Sequence, residues 1–467
     1  MVRIASAVAA GLVSAGLIVY PSPAGAAVQA VQAVQAVQLT GAGLPLGGGT
    51  ALIMGGSGMP TPGPGYADLV NELYLAPLGF TGTTQILTTP ETLYPFLGAF
   101  TGTFDSSVEQ GTQILETAIL DQIAGGQVDA DNPVVVFGWS QSAVLSSLIM
   151  QRLADEGVPS DYVHFVLIGN ESLPNGGMLS RFDLPTGTYP ELPSVGMTFS
   201  GAAPANLFPT TVYTTEYDGF ANFPQYSMNF LSTINAVMGI IFAHTTYLGL
   251  SAEDIANAVL LPTSNPDVLT DYYMIPATTL PLLAPLQLLP FIGNPLVDLL
   301  QPALQVLVNL GYGNIEHGWS PGFADVPTGI GFLPDLDVLQ QVPEALFEAV
   351  QKGITDSFNT LMDPANYVYS LPEWAEQLAS LGDTLGGGET SVGVTVPTTW
   401  DDLFGAFPPH TGYPPLDMLS ALLFTLPEYS YNVFMSEIAD GDLLDAIGIP
   451  LAATAGLLPL ALIGALL

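Results

Sequence analysis

The chain has no cysteine, which excludes disulfides, thiolate metal sites and thiol catalysis. Basic residues are almost as scarce. Arg3, Arg152, Arg181 and Lys352 stand against 42 acidic residues, a formal net charge of −38 at pH 7. Four scattered cations cannot neutralise a phosphate backbone, so nucleic acid is excluded as a partner, and anionic lipid headgroups are disfavoured. Contact with lipid, whether peripheral membrane or envelope association, would have to be apolar. Only 10% of the 467 residues are charged, where a soluble domain carries about a quarter, and 49% are hydrophobic. Histidine is sparse too: His164, His244, His317 and His410 are isolated, no H-E-x-x-H occurs, and neither a metal nor another cofactor is expected.

The length fits two to three domains, or one large α/β domain with appendages. Arg3 precedes an apolar run, Ile4 to Tyr20, which ends at Pro21, Pro23 and the small residues Ala24-Gly25-Ala26. Residues 1–26 therefore read as a secretory signal peptide, the alternative being an uncleaved anchor; either places the rest outside the cell. Residues 27–44 repeat Val-Gln-Ala and read as a low-complexity spacer. From 45 to about 330, short apolar runs alternate with segments of helical period, which predicts a mostly parallel sheet with helices on both faces. Thr50–Met54, Pro133–Phe137, Val163–Ile168 and Val212–Thr214 are the expected strands. Ser106–Glu109 reads as a capping box opening a helix striped by Val108, Leu115, Ile119 and Ile123. Residues 331–467 read as a mainly helical extension, with a helical region from about Asp335 to Leu381 and a break at Gly386-Gly387-Gly388. The uncharged stretch from Ile449 onward is long enough for a membrane anchor, but Pro450 and Pro459 interrupt it, which favours a tail packed on the domain.

Val134 to Ala143 carries the strongest chemical signal. A buried strand runs through Gly138-Trp139 into Ser140, and a helix follows at once: the strand–turn–helix context of a nucleophile elbow, with the hydroxyl expected within reach at the sheet's edge. Residues two before and two after the serine must be small; Gly138 meets this, and Ser142 stands where glycine is more usual. A helix-capping serine is the plainer alternative. The chain order Ser, acid, His makes Asp218, in Glu216-Tyr217-Asp218-Gly219 after a strand, the preferred acid, with Glu216 as fallback. His244 is the preferred base, ahead of His317 and the remote His410, whereas His164 lies inside a strand. Oxyanion donors are expected from the backbone N–H of Gln141 and from the Gly56-Ser57-Gly58 loop, where Ser57 could add its hydroxyl. That loop could instead cradle phosphate, but no G-K-[ST] follows it.

Gly138 to Ala143, the Gly56-Ser57 loop and the H-x-x-Y segment His244–Tyr247 resemble cutinases. A closer resemblance, over about residues 45–330, is to the PE-PPE domain family of actinobacterial envelope proteins. It is carried by Gly55 to Pro62, the Ser140 elbow, Gly169-Asn170 with Pro174-Asn175-Gly176-Gly177, Tyr217-Asp218-Gly219 and Leu310-Gly311-Tyr312-Gly313. The resemblance implies a serine α/β-hydrolase of acyl esters, with some relatives implicated in acyl transfer onto envelope glycolipids. Departures are the missing cutinase cysteines, Glu216 where a basic residue is expected, and a signal peptide in place of a PE or PPE module. Three readings follow: a secreted esterase or lipase using Ser140, His244 and Asp218; an acyltransferase with a glycolipid acceptor; and a non-catalytic envelope protein on a hydrolase scaffold. In the first, the Leu- and Pro-rich stretch Tyr272–Leu310 would wall or lid the acyl site, with ordinary core and packing surface an equal alternative.

Overall fold

Strands that are apolar at nearly every position need cover on both faces, and Val134–Trp139 and Val163–Ile168 are buried along almost their whole length. The computed structural model describes residues 45–97, 101–368, 370–372, 374–375, 410 and 414–466. The expected signal peptide, the Val-Gln-Ala spacer and the Gly386–Gly388 break lie outside them. Among the described residues nine strands occur: β1 (Thr50–Ile53), β2 (Thr83–Ile86), β3 (Val134–Trp139), β4 (Val163–Ile168), β5 (Glu191–Leu192), β6 (Met197–Thr198), β7 (Thr210–Thr215), β8 (Val259–Leu260) and β9 (Thr270–Ile275). Seven form one sheet in the order β2-β1-β3-β4-β7-β9-β8, parallel except for β8 against β9. This is the α/β-hydrolase architecture.

Helix α1 (Phe104–Ala124) buries Val108, Leu115 and Ile119, the expected stripe, with Ile123 partly buried. Its cap differs from the expected box. Thr103, in extended conformation, accepts the Ser106 N–H on its hydroxyl at 3.3 Å, so the helix starts before Ser106. Helix α2 (Gln141–Asp155) follows β3 directly and buries ten of its residues against the sheet. Helix α3 (Phe230–Phe242) leads to the His244 loop.

The Leu- and Pro-rich stretch takes the core-packing form of its two readings. It forms β9, a 3-10 turn at Pro281–Leu288 and α4 (Gly293–Asn309). Leu280, Leu283, Val297 and Val308 form their own cluster with Tyr217 and Tyr312, which uses their apolar surface as core packing. Helix α5 (Leu336–Met362) packs on α4 and is followed by a 3-10 turn at Pro364–Tyr367; the far end of the expected helical region, 376–381, lies outside the described residues. Asp363 adopts φ −77°, ψ 119° ahead of Pro364, a residue that disfavours helix in its predecessor.

Three further helices close the chain: α6 (Pro414–Ser420), α7 (Leu426–Asp440) and α8 (Leu443–Leu466). Leu443–Ala461 is long and apolar enough to cross a membrane by length and composition. Yet Ala446, Ala452, Ala453, Leu457 and Leu460 of α8 are buried. With Leu426, Tyr429 and Val433 of α7, the last four of these join the cluster that holds Val134, Val136, Phe165 and Leu167 of the sheet. The C-terminal helices are part of the main core.

Candidate active site

Neighbouring parallel strands β3, β4 and β7 all release the chain at the same edge of the sheet, at Ser140, Gly169 and Glu216. Ligand-binding groups collect at this carboxyl edge in open parallel sheets. Ser140 turns the chain with φ 58° and ψ −122°, a conformation that L-residues seldom adopt and that the flanking strand and helix hold in place. A Cβ on Gly138 would lie 2.6 Å from the Ser142 carbonyl oxygen, so no larger residue fits. Ser142 does more than stay small: its Oγ accepts the Trp139 N–H at 2.8 Å and closes the bend. Tyr217, beside Asp218, also has a positive φ, of 65°.

The His244 Nε2 lies 2.8 Å from Ser140 Oγ, and its Nδ1 lies 2.8 and 2.9 Å from the two Asp218 carboxylate oxygens. Asp218 is completely buried and fully partnered. Its Oδ1 accepts the N–H groups of Phe220 at 2.9 Å and Ala221 at 3.1 Å, and its Oδ2 accepts the Tyr247 hydroxyl at 2.7 Å. Tyr247 in turn accepts the Thr215 N–H at 2.9 Å, which ties the acid to the end of β7. The imidazole is held from both sides by Trp139 and by Phe220, whose ring meets it edge to face at 4.9 Å. Gly169 leaves room for it, since a Cβ there would stand 3.1 Å from His244 Cε1.

Electrostatics suit an imidazole that takes up a proton. Burial works against the imidazolium, but the charge and hydrogen bond of Asp218, joined by Glu171, outweigh it and raise the His244 pKa above its ordinary value. Burial likewise opposes the Asp218 carboxylate, yet His244, the Ala221 N–H and Tyr247 hold it below the usual range.

Glu171 was not legible as a site residue. It follows Gly169-Asn170 after β4, and its Oε1 accepts a hydrogen bond from Ser140 Oγ at 3.2 Å. Burial pushes its pKa up to about 7, although His244 and the Ser140 hydroxyl favour its charged form. Its place at the carboxyl end of a central strand was the one available signal. Ser140 differs from expectation as well: it is only 5% exposed, with Glu171 on its hydroxyl and Phe220 against its histidine.

On the oxyanion side, Gln141 occupies the first position of α2, where backbone N–H groups lack intrahelical acceptors. Its side chain bridges loops, donating to Ser57 Oγ at 3.1 Å and to the Thr92 carbonyl at 2.7 Å, and accepting from Ser107 Oγ at 2.5 Å. The neighbouring Glu91 is buried at φ 49°, accepts the Gly58 N–H on its carbonyl at 2.7 Å, and leaves Oε2 without a partner.

The other candidates lie elsewhere. Glu216 accepts the N–H groups of Ala277 at 2.9 Å and Gly318 at 2.6 Å, tying loops together. His317 stacks on Trp319 at 3.9 Å and contacts its carbonyl through Nδ1. His164 is buried within β4, and burial lowers its pKa to about 4. His410 pairs with Asp417 of α6 at 3.2 Å.

Comparable sequences from Mycobacterium tuberculosis include the following three. The PPE family protein PPE28 is 39% identical over 87% of this chain and 63% of its own length. Esterase PE16 is 43% identical over 62% of this chain and 52% of its own length. Diacyltrehalose acyltransferase Chp2 is 27% identical over 45% of this chain and 57% of its own length. The chain thus spans between about half and 63% of the length of these curated relatives. Residues 81–313, which hold Ser140, Glu171, Asp218 and His244, match the PE-PPE domain model, and the chain belongs to the PE-PPE domain family.

Proposed function

We propose that the protein is a serine esterase that cleaves acyl esters through a covalent acyl-enzyme. The observation that carries this reading is the continuous chain Asp218–His244–Ser140, with both imidazole nitrogens at 2.8 Å from their partners. In the first half-reaction, Ser140 Oγ attacks the ester carbonyl carbon while His244 Nε2 takes its proton. Asp218 holds the ring with Nε2 free to accept and stabilises the imidazolium. The carbonyl oxygen becomes an oxyanion facing the Gln141 N–H, with Ser57 as second donor. The carbon–alkoxy bond then breaks and the leaving alcohol takes the proton from His244. Water, deprotonated by His244, attacks the acyl carbon in the second half and releases the carboxylic acid with Ser140 restored.

Likeness to esterase PE16 supports hydrolysis. Likeness to the acyltransferase Chp2 supports a second outcome of the same acyl-enzyme, attack by a sugar hydroxyl of an envelope glycolipid in place of water. We assign the protein to the exported, envelope-associated side of the cell, in line with its leader-like N-terminus and its family. The test is kinetic. Purified wild type should hydrolyse p-nitrophenyl esters, and Ser140→Ala, His244→Ala and Asp218→Asn should each lower kcat/KM by about 10³-fold or more with circular dichroism unchanged. Full activity in Ser140→Ala would end the proposal. A folded wild type without activity would favour a non-catalytic envelope role.

A further inference from the structure

The Ser140 hydroxyl has one proton and two acceptors for it. His244 Nε2 lies 2.8 Å from Oγ, and Glu171 Oε1 lies 3.2 Å from it. A serine that points its proton at the carboxylate points it away from the base that must take it. The fold holds the carboxyl in this position. The Ser140 N–H donates to the Ile168 carbonyl at 3.1 Å, so the chain leaving β4 starts beside the nucleophile. Asn170 then donates to Ser147 Oγ at 3.0 Å and accepts the Ser172 N–H at 3.0 Å. The Glu171 carbonyl accepts the Leu179 N–H at 3.0 Å, and its side chain lies buried beside Met178 and Phe220.

Among the described residues no cation stands opposite this carboxyl. Arg152 pairs with Glu109, Lys352 with Asp356, and Arg181 donates to the Phe223 and Thr328 carbonyls. The titratable groups that face Glu171 are His244 and Asp218 across the serine, Glu91 from the loop after β2, and Tyr94, whose hydroxyl is given to Asp417. His244 is the one group of these that can carry a compensating positive charge. An ionised Glu171 therefore favours the imidazolium, and an imidazolium cannot take the Ser140 proton. Burial lifts the Glu171 carboxyl to about 7, in the range where the imidazole also titrates. Groups this close exchange protons as a pair.

We infer that Glu171 is a further catalytic group: in the active state it carries a proton, donates it in a hydrogen bond to Ser140 Oγ, and so directs the serine's own proton to His244. The inference rests on the esterase reading, which makes Ser140 the nucleophile. Glu171 keeps its proton throughout, while the serine proton passes to His244 and then to the leaving alcohol. The active state needs a neutral imidazole and an acid-form carboxyl together. Toward alkaline pH the pair loses that proton, the carboxylate takes the serine's hydrogen bond, and the rate falls.

The experiment is a pH profile joined to a titration that needs no turnover. Hydrolysis of p-nitrophenyl butyrate is followed on wild type and Glu171→Gln, whose amide remains a donor at every pH. Wild-type kcat/KM should fall at least tenfold within about two pH units above its optimum, and this alkaline limb should be absent from Glu171→Gln. Glu171→Ala, which also lacks the titrating group, serves should the amide variant not fold. In parallel, the carboxyl carbons of full-length protein labelled with carbon-13 glutamate are titrated by NMR, the Glu171 signal being the one missing from the variant. Its midpoint should rise in Ser140→Ala, because the hydroxyl that favours the carboxylate is gone. A wild type with no alkaline limb, or a limb that persists in the variants, would overturn the inference and leave the esterase standing. If wild type hydrolyses no ester, the esterase reading fails and the titration decides: a midpoint that rises in Ser140→Ala upholds the shared proton, and an unmoved one removes it.

Discussion

At the scale of single residues, two buried carboxyls set the pH behaviour. In the proposed mechanism the base must be neutral to accept the Ser140 proton, so activity is expected to fall as pH drops through the His244 pKa. That pKa is raised above 6.5 by Asp218 and Glu171 against burial, which puts the acid limb of kcat/KM above pH 6.5. Glu171→Gln removes one of the negative charges that favour the imidazolium, and should move that limb to lower pH in an esterase pH–rate profile. An unmoved or raised limb would show that Glu171 does not act on His244. Glu91 acts on stability. Burial raises its pKa from 4.5 to about 8, so the folded state holds the proton more tightly than the unfolded chain. Stability is therefore full below about pH 4.5 and is lost as pH rises toward 8, by an amount on the order of a few kcal/mol for this group. Thermal melts of Glu91→Gln should show a flatter decline of Tm between pH 5 and 8 than wild type.

At the scale of elements, the turn between β3 and α2 is the part on which the chemistry depends. Gly138→Ala places a methyl 2.6 Å from the Ser142 carbonyl, with backbone rather than a flexible side chain in the way. We expect a loss of about 1–3 kcal/mol in denaturant unfolding and a fall in kcat/KM greater than the stability change alone would cause. An active, fully stable Gly138→Ala protein would mean that the elbow relaxes more freely than its geometry indicates. This element was readable because everything it needs is local: an apolar strand, a small residue, a serine and a helix start within ten positions. Asp218 and His244 were readable for a related reason, since each stands where a strand or helix gives way to a loop. The cap at Thr103 was missed because Ser106 to Glu109 also has the letters of a capping box, and the choice depends on where extended backbone ends. The Leu- and Pro-rich stretch stayed open between acyl wall and core, because composition does not reveal which apolar surface faces Tyr217 and which faces a substrate.

At the scale of the whole molecule, the parallel sheet and its helices follow from the alternating pattern of the sequence. The docking of α6 to α8 on the body does not, because Tyr94 with Asp417, and Phe182 with Tyr429, are contacts between segments far apart in the chain. Glu171 escaped notice for the same reason: what makes it a site residue is the alignment of β4 beside β3, a property of the assembled sheet. The apolar α8, long enough to cross a membrane, lays Ala446, Ala452, Ala453, Leu457 and Leu460 on the core, while Leu443, Leu444, Ile447, Leu451 and Leu458 stay exposed, so packing accounts for only part of its hydrophobicity. With a net charge of −38, association with an anionic lipid surface has no electrostatic support. On the proposed reading, these features serve one hydroxyl, Ser140, whose reactivity would come from the imidazole 2.8 Å away. The most direct measurement is intact-mass analysis, with peptide mapping, of the full chain treated with a fluorophosphonate at neutral pH. One adduct per chain, on Ser140, absent from Ser140→Ala and strongly slowed in His244→Ala, is the predicted result. A folded wild type that takes up no adduct, or takes it up at another residue, would contradict the account.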